Sequence, residues 1–220
     1  PTHNLGALLA ELGWRVLLVD LDPQASLTGS TGVSDCNGRS MTEVLGGYQP
    51  GSLAMEDIVI NISPGLDLAP SDLSMASVEL GLSQRMGRER LLAKALEPLQ
   101  SRYDLVFIDC GPSLGLLTVN GLVAASQVIV PCQPSVLDLR GVSLFLQSVE
   151  TIRGDLNPSL NLFGILVTQY DQRYTHHRDA VEAIQQANLP ILPVMIGRSV
   201  KVAEASGAGQ PITSDRKSVV

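Results

Sequence analysis

Apolar and polar positions in this chain come in blocks, each with the period of one kind of element. Leu5–Leu12 repeats apolar residues at helical spacing and stops at Gly13, a suitable C-terminal cap. Arg15–Leu21 is a continuous apolar run, which reads as a buried strand. Residues 29–52 are rich in Gly and Ser and read as a loop with a short helix around Met41–Leu45. Leu66–Pro70 predicts a short strand, Arg85–Leu99 an amphipathic helix, Tyr103–Cys110 a buried strand and Leu116–Ala125 the helix after it. Further strands are predicted at 126–134 ("SQVIVPCQP") and 161–171 ("NLFGILVTQYD"), separated by a helix over Val142–Arg153. A helix at His177–Ala187 and a short strand at 191–196 ("ILPVMI") complete the pattern. Strands alternating with helices at this spacing imply right-handed crossovers and an α/β fold, a mainly parallel doubly wound sheet flanked by helices. No repeat or linker divides the chain, so a single domain over 1–220 is expected.

Composition supports that architecture and narrows the partners. Hydrophobic residues make up 45% and aromatics 4%, so the core must be aliphatic, as in parallel sheets covered on both faces. No apolar stretch approaches the roughly 18 residues of a membrane helix. The opening "PTHNLGALLAELG" has no basic region and carries Glu11, so no signal peptide is expected. Three scattered cysteines, Cys36, Cys110 and Cys132, fit free thiols in a reducing compartment. The net charge of −7 excludes a chain-wide nucleic-acid glove. Residues 1–152 hold 8 basic against 16 acidic residues, whereas 153–220 hold 7 against 6, which leaves room for a local basic face near the C-terminus.

The chemistry concentrates where strands end. "VLLVDLD" closes on Asp20 and Asp22, and "LVFID" on Asp109. Open parallel sheets bind ligands beyond the carboxyl ends of their strands, so these acids face a crevice suited to Mg²⁺ and phosphate oxygens. One strand-end aspartate alone usually just caps the following turn. Two strands ending this way, in "DLDPQ" and "IDCGPS", argue for a polyphosphate site.

At this point the sequence resembles a known family. "RVLLVDLDPQASLT", "YDLVFIDCGPSLGLLTVNGLVAASQVIVPCQPSVLDLRGV", "LFGILVTQYDQR" and "IGRSVKVAEASGAGQPI" look like the ParA/Soj branch of deviant Walker P-loop ATPases, within the ParA/MinD superfamily. The resemblance implies that Asp22 positions the attacking water and that Asp109, supported by Asp20, holds Mg²⁺ through water. It places Gln169 and Arg198 at an adenine pocket and Pro112 in the turn that senses the γ-phosphate. Two departures stand out: Gly111 replaces the first proline of "D-x-P-P-S", and Gly197 replaces a proline near the adenine pocket. The implied cofactors are ATP/ADP and Mg²⁺.

The family's "KGGVGKTT" phosphate loop does not occur in these 220 residues, and "PTHNLGALLAELG" matches the helix that follows it. The expectation is a sequence short by about 20–25 residues at its N-terminus, the alternative a divergent member without the loop. Residues 1–220 alone are not expected to hydrolyse ATP. The resemblance further implies an ATP-bound homodimer, a ParB-like activator protein and non-specific DNA, with Arg173 and Lys201 at the basic DNA sites. Arg178, Arg198, Arg216 and Lys217 could extend that face, while solvated surface charge is the plainer reading of any one of them. His176 and His177 read as exposed residues at a helix start. The expected setting is the cytoplasm, on the nucleoid of a bacterium or archaeon, where such a switch partitions plasmids or chromosomes or positions another cargo. A MinD-like membrane regulator needs an amphipathic tail that "TSDRKSVV" does not show, so no membrane partner is expected. A redox ATPase needs paired cluster cysteines, whereas Cys110 and Cys132 read as buried small residues. A non-catalytic, partner-binding scaffold is the remaining alternative.

Overall fold

The computed structural model describes residues 1–46 and 53–214, the side chains of 136–139 aside. Its elements in chain order are α1 (Thr2–Glu11), β1 (Val16–Asp20), α2 (Ser26–Ser30), α3 (Met41–Gly46), α4 (Met55–Ile58), β2 (Ile60–Ser63), β3 (Leu66–Ala69), α5 (Met75–Leu82), α6 (Leu91–Leu96), β4 (Leu105–Asp109), α7 (Leu116–Ala124), β5 (Gln127–Cys132), α8 (Val136–Asp155), β6 (Asn161–Val167), α9 (Thr175–Gln186) and α10 (Val200–Gly207). They form an α/β fold with parallel strands and flanking helices. The chain falls into two compact units: Pro1–Ala124 with Lys201–Val220, and Ala125–Val200.

The first unit holds a four-stranded sheet in the order β2-β3-β1-β4. β1 runs parallel to β3 and β4, with Asp20 opposite Asp109. All five residues of β1 are buried. Leu17, Val19 and Leu21 enter one core with Met41, Leu45, Met75 and Leu92, while Val16 and Leu18 enter a second with Ala7, Leu66 and Leu68. Alternation across the pleat thus covers both faces of a strand that is apolar up to Asp20. Gly6 lets α1 settle on β1, since a Cβ there would lie 2.7 Å from Leu18 Cδ2.

Several sequence expectations are corrected here. β2 was not predicted; it pairs antiparallel with β3 through a turn with Pro64 and Gly65, the latter at φ +79°. The helix expected over Arg85–Leu99 contains only α6 as α-helix, flanked by 3₁₀ turns at Arg88–Arg90 and Glu97–Leu99. Gly87 at φ +66° starts the first turn, and Pro98 lies inside the second. β4, expected to be buried, is half-covered, with Val106 38% exposed, because it ends the strand order and pairs only with β1 in its sheet.

The second unit is a βαβ crossover. β5 and β6 are parallel, α8 connects them and α9 follows. β5 alternates, with Val128, Val130 and Cys132 buried and Gln127, Ile129 and Pro131 exposed. α8 starts earlier than the predicted Val142 and carries Gly141 within it. β6 stops at Val167, short of 171, because Gln169 takes φ +53°. The strand expected at 191–196 is reduced to bridges at Ile191 and Gly197, since Pro193 has no N–H for a ladder. Among the described residues no helix is long and apolar enough to cross a membrane.

Candidate functional site

The three aspartates picked out at strand ends come together in the first unit. Asp20 closes β1 and Asp109 closes the adjacent β4 in register. Asp22 follows two residues on, its backbone N–H donating to Asp20 Oδ1 at 3.1 Å. Gly111 lies against the Asp22 carboxylate, where an added Cβ would be 3.3 Å from Oδ1. The "DPQ" turn is closed by Ala25 N donating to the Asp22 carbonyl, and Ala25 adopts φ +50°.

Asp20 is fully buried, and its charge is satisfied locally. Thr28 donates to Asp20 Oδ2 from both its backbone N, at 2.8 Å, and its hydroxyl, at 2.7 Å. The same hydroxyl accepts the N–H of Ser71 at 3.0 Å. Burial raises the Asp20 carboxyl above its ordinary pKa, the Thr28 and Asp22 hydrogen bonds oppose that rise, and the charge of Asp109 adds to it. Asp109 accepts a 2.5 Å hydrogen bond from the Thr2 hydroxyl, which ties the start of α1 to the tip of β4. Burial pushes the Cys110 thiol up to about 12, and the neighbouring charges of Asp109, Asp20 and Asp22 reinforce the shift. One small thiol therefore senses all three acids. Pro112 sits exposed in the loop after β4.

These oxygens suit a hard cation. Among the described residues no cluster of three or more His, Cys, Asp or Glu is gathered closely enough to hold a metal by itself. Carboxylates at the tips of two adjacent strands are the donor type Mg²⁺ takes, since it keeps several waters and commonly uses one or two carboxylates alongside substrate phosphates.

Gln169 and Arg198 meet in the second unit, where both line a cavity of about 750 Å³ with Gln133, Ser135, Tyr174 and His177. His177, taken from the sequence as an exposed helix-start residue, is half-buried, and its Nδ1 accepts the Asp171 backbone N–H at 3.0 Å. Its neutral ring must therefore carry the proton on Nε2. Tyr174 stacks on His176 at 5.5 Å and meets His177 edge-on at 5.2 Å. Arg173 is 81% exposed, and its guanidinium is held by Asp171. Its hydrogen bonds keep the Asp171 carboxyl down at about 2. Lys201 is exposed near the start of α10, in the first unit. Arg216 and Lys217 lie outside the described residues. Cys132 is buried and Cys110 partly so.

Sequence reasoning missed Thr28, Thr2 and His177. Thr28 lies eight residues past Asp20, and nothing in the spacing shows that α2 folds its hydroxyl back onto the strand end.

Comparison with known proteins identifies the family. Residues 1–162 match the family described as an AAA domain. The chromosome-partitioning ATPase Soj of Treponema pallidum is 38% identical over 219 residues, covering 96% of this chain and 82% of that one. The chromosome partitioning protein ParA of Caulobacter vibrioides is 36% identical over 213 residues, covering 95% and 79%. The crystal structure of a cobyrinic acid a,c-diamide synthase from Mycobacterium smegmatis, with bound ADP and magnesium, superposes with a TM-score of 0.82 at 41% identity, covering 94% and 82%. Fold and these similarities place the chain in the class of α/β nucleotide-binding ATPases. It belongs to the ParA/MinD superfamily of P-loop ATPases.

Proposed function

We propose that this protein is a ParA-type nucleotide switch: ATP drives a homodimer that binds DNA without sequence preference, and a ParB-like partner stimulates hydrolysis and release. The meeting of Asp20, Asp22 and Asp109 at two adjacent strand ends is the observation that carries the reading. In it, Asp109, supported by the buried Asp20, would hold Mg²⁺ through water, the ion would supply charge neutralisation at the phosphates, and Asp22 would orient the attacking water. Pro112 flanks the γ-phosphate, while Gln169 and Arg198 line the base pocket. Arg173 and Lys201 contact DNA phosphates. The 36% and 38% identities to proteins named for chromosome partitioning support a role in placing DNA or another cargo within the cytoplasm, on the nucleoid. No membrane partner enters this reading, and residues 1–220 are taken together as one ParA-like domain.

The test uses the full-length protein with labelled ATP. Asp22→Ala is expected to keep nucleotide binding while turnover falls by at least about 100-fold. Unchanged turnover removes Asp22 from the role assigned to it. Arg173→Ala and Lys201→Ala are expected to weaken binding to all duplexes alike and to lower the salt dependence.

A second reading rests on the 41% identity to the Mycobacterium smegmatis protein named for cobyrinic acid a,c-diamide synthesis. There the same crevice would serve an ATP-dependent synthase. Conversion of cobyrinic acid by a protein that does not bind duplex DNA would select it over the switch.

A further inference from the structure

The fork of Arg173 is already filled by a carboxylate from its own loop. Arg173 Nε lies 2.9 Å from Asp171 Oδ1 and 3.2 Å from Oδ2, Nη2 lies 2.6 Å from Oδ2, and the Arg173 backbone N–H lies 3.0 Å from Oδ1. This two-pronged grip is the one a guanidinium offers a phosphate. The partners differ in freedom. Asp171 is 18% exposed in its side chain, its backbone N–H is held by His177 Nδ1, and its carbonyl accepts the Tyr174 N–H at 3.1 Å. Arg173 is 81% exposed and can turn outward without disturbing packing.

We propose that Asp171 is an internal competitor for Arg173: its carboxylate occupies the guanidinium fork that a nucleic-acid phosphate would otherwise take, and so limits the affinity this loop contributes. The proposal rests on the DNA-binding reading above and adds its regulation. Asp171 remains ionised throughout the physiological range, so the competitor is always present. An incoming phosphodiester must exchange with it, and the cost of that exchange is small because the pair is exposed to water. A single loop in this state contacts DNA weakly.

The experiment is fluorescence anisotropy of the full-length protein, with ATP and Mg²⁺, on a labelled duplex of arbitrary sequence across a salt series. Asp171→Asn and Asp171→Ala are each expected to tighten binding about three- to tenfold and to steepen the salt slope by about one. Asp179→Asn, which removes a negative charge from α9 without touching Arg173, is expected to leave affinity within about twofold. The decisive arm is a double-mutant cycle: in an Arg173→Ala background, Asp171→Asn should change nothing. If it tightens binding there as well, the effect is bulk charge and the competitor is overturned. If Asp171→Asn weakens binding, Asp171 positions Arg173 instead, and the proposal is equally overturned. Wild-type protein that fails to bind duplex at all overturns the DNA-binding reading and this proposal together. Wild-type binding that Arg173→Ala weakens, with no gain from Asp171→Asn, overturns the competitor alone.

Discussion

Two regions carry the candidate chemistry, and they are built in opposite ways. The acids of the first unit sit on strand tips whose positions are set by parallel register and by a fully buried β1. Both Thr28 hydrogen bonds to Asp20 are buried, so the carboxylate has little freedom. The Gln169–Tyr174 loop of the second unit is a run of turns between β6 and α9, mostly exposed, held by one ion pair and by ring contacts to His176 and His177 of α9. Rigid geometry suits the proposed task of placing a cation and a water. An exposed, exchangeable pair suits a group that must release its partner again. Removing a buried hydrogen bond costs far more than removing an exposed contact, so the same kind of substitution should have unequal effects in the two places.

The largest effect expected from that contrast follows Thr28→Val. It removes a donor from buried Asp20 and the acceptor for Ser71 N, and should destabilise the protein by about 2–3 kcal/mol. Tyr174→Ala in the exposed stack should stay within about 0.5 kcal/mol. Urea unfolding of both variants decides the matter, and similar losses would erase the distinction.

A smaller effect is expected at the loop after β4. Gly111→Ala places a Cβ about 3.3 Å from Asp22 Oδ1, so the carboxylate must give by a few tenths of an ångström. Stability should fall by less than about 1 kcal/mol, whereas turnover of the full-length protein should fall about tenfold, because catalytic placement tolerates little displacement. A stability loss with turnover intact would show that Gly111 serves packing and leaves Asp22 untouched.

The smallest effect concerns pH. His3 is 6% exposed, its Nε2 has no partner among the described residues, and burial lowers its pKa below the usual 6.5. The folded chain therefore resists a proton that the unfolded chain accepts. Any such contribution is absent well above pH 6.5 and appears as lost stability once the pH falls through 6.5. His3→Val should flatten the decline in melting temperature between pH 7 and 5, and an unaltered slope would assign that decline to other groups.

The sequence made the architecture legible where an element is long and uniform. β1 and β4 were read from unbroken apolar runs, and their acidic ends from the abrupt change of polarity. α1, α7 and α9 lie within a few residues of the periodic segments that predicted them. Short or conflicting stretches were not legible. β2 is four residues long and half-exposed, α5 is apolar nearly all round, and Gly87 and Pro98 cut a seemingly continuous helix. The tie between Asp171 and Arg173 could have been guessed from their spacing of two. The involvement of His177 could not, since it depends on how α9 turns back toward the end of β6.

Sequence alone therefore determined which residue types stand at the strand ends, because polarity along a strand is local information. It determined the family as well, because four motifs in order survive without any knowledge of contacts. Only the tertiary structure decided that Thr28 holds Asp20, that Thr2 holds Asp109, and that Asp171 occupies Arg173. Hydrogen-bond partners are chosen by where the chain folds back in space, and for Thr2 and Asp109 that meeting spans 107 residues of sequence.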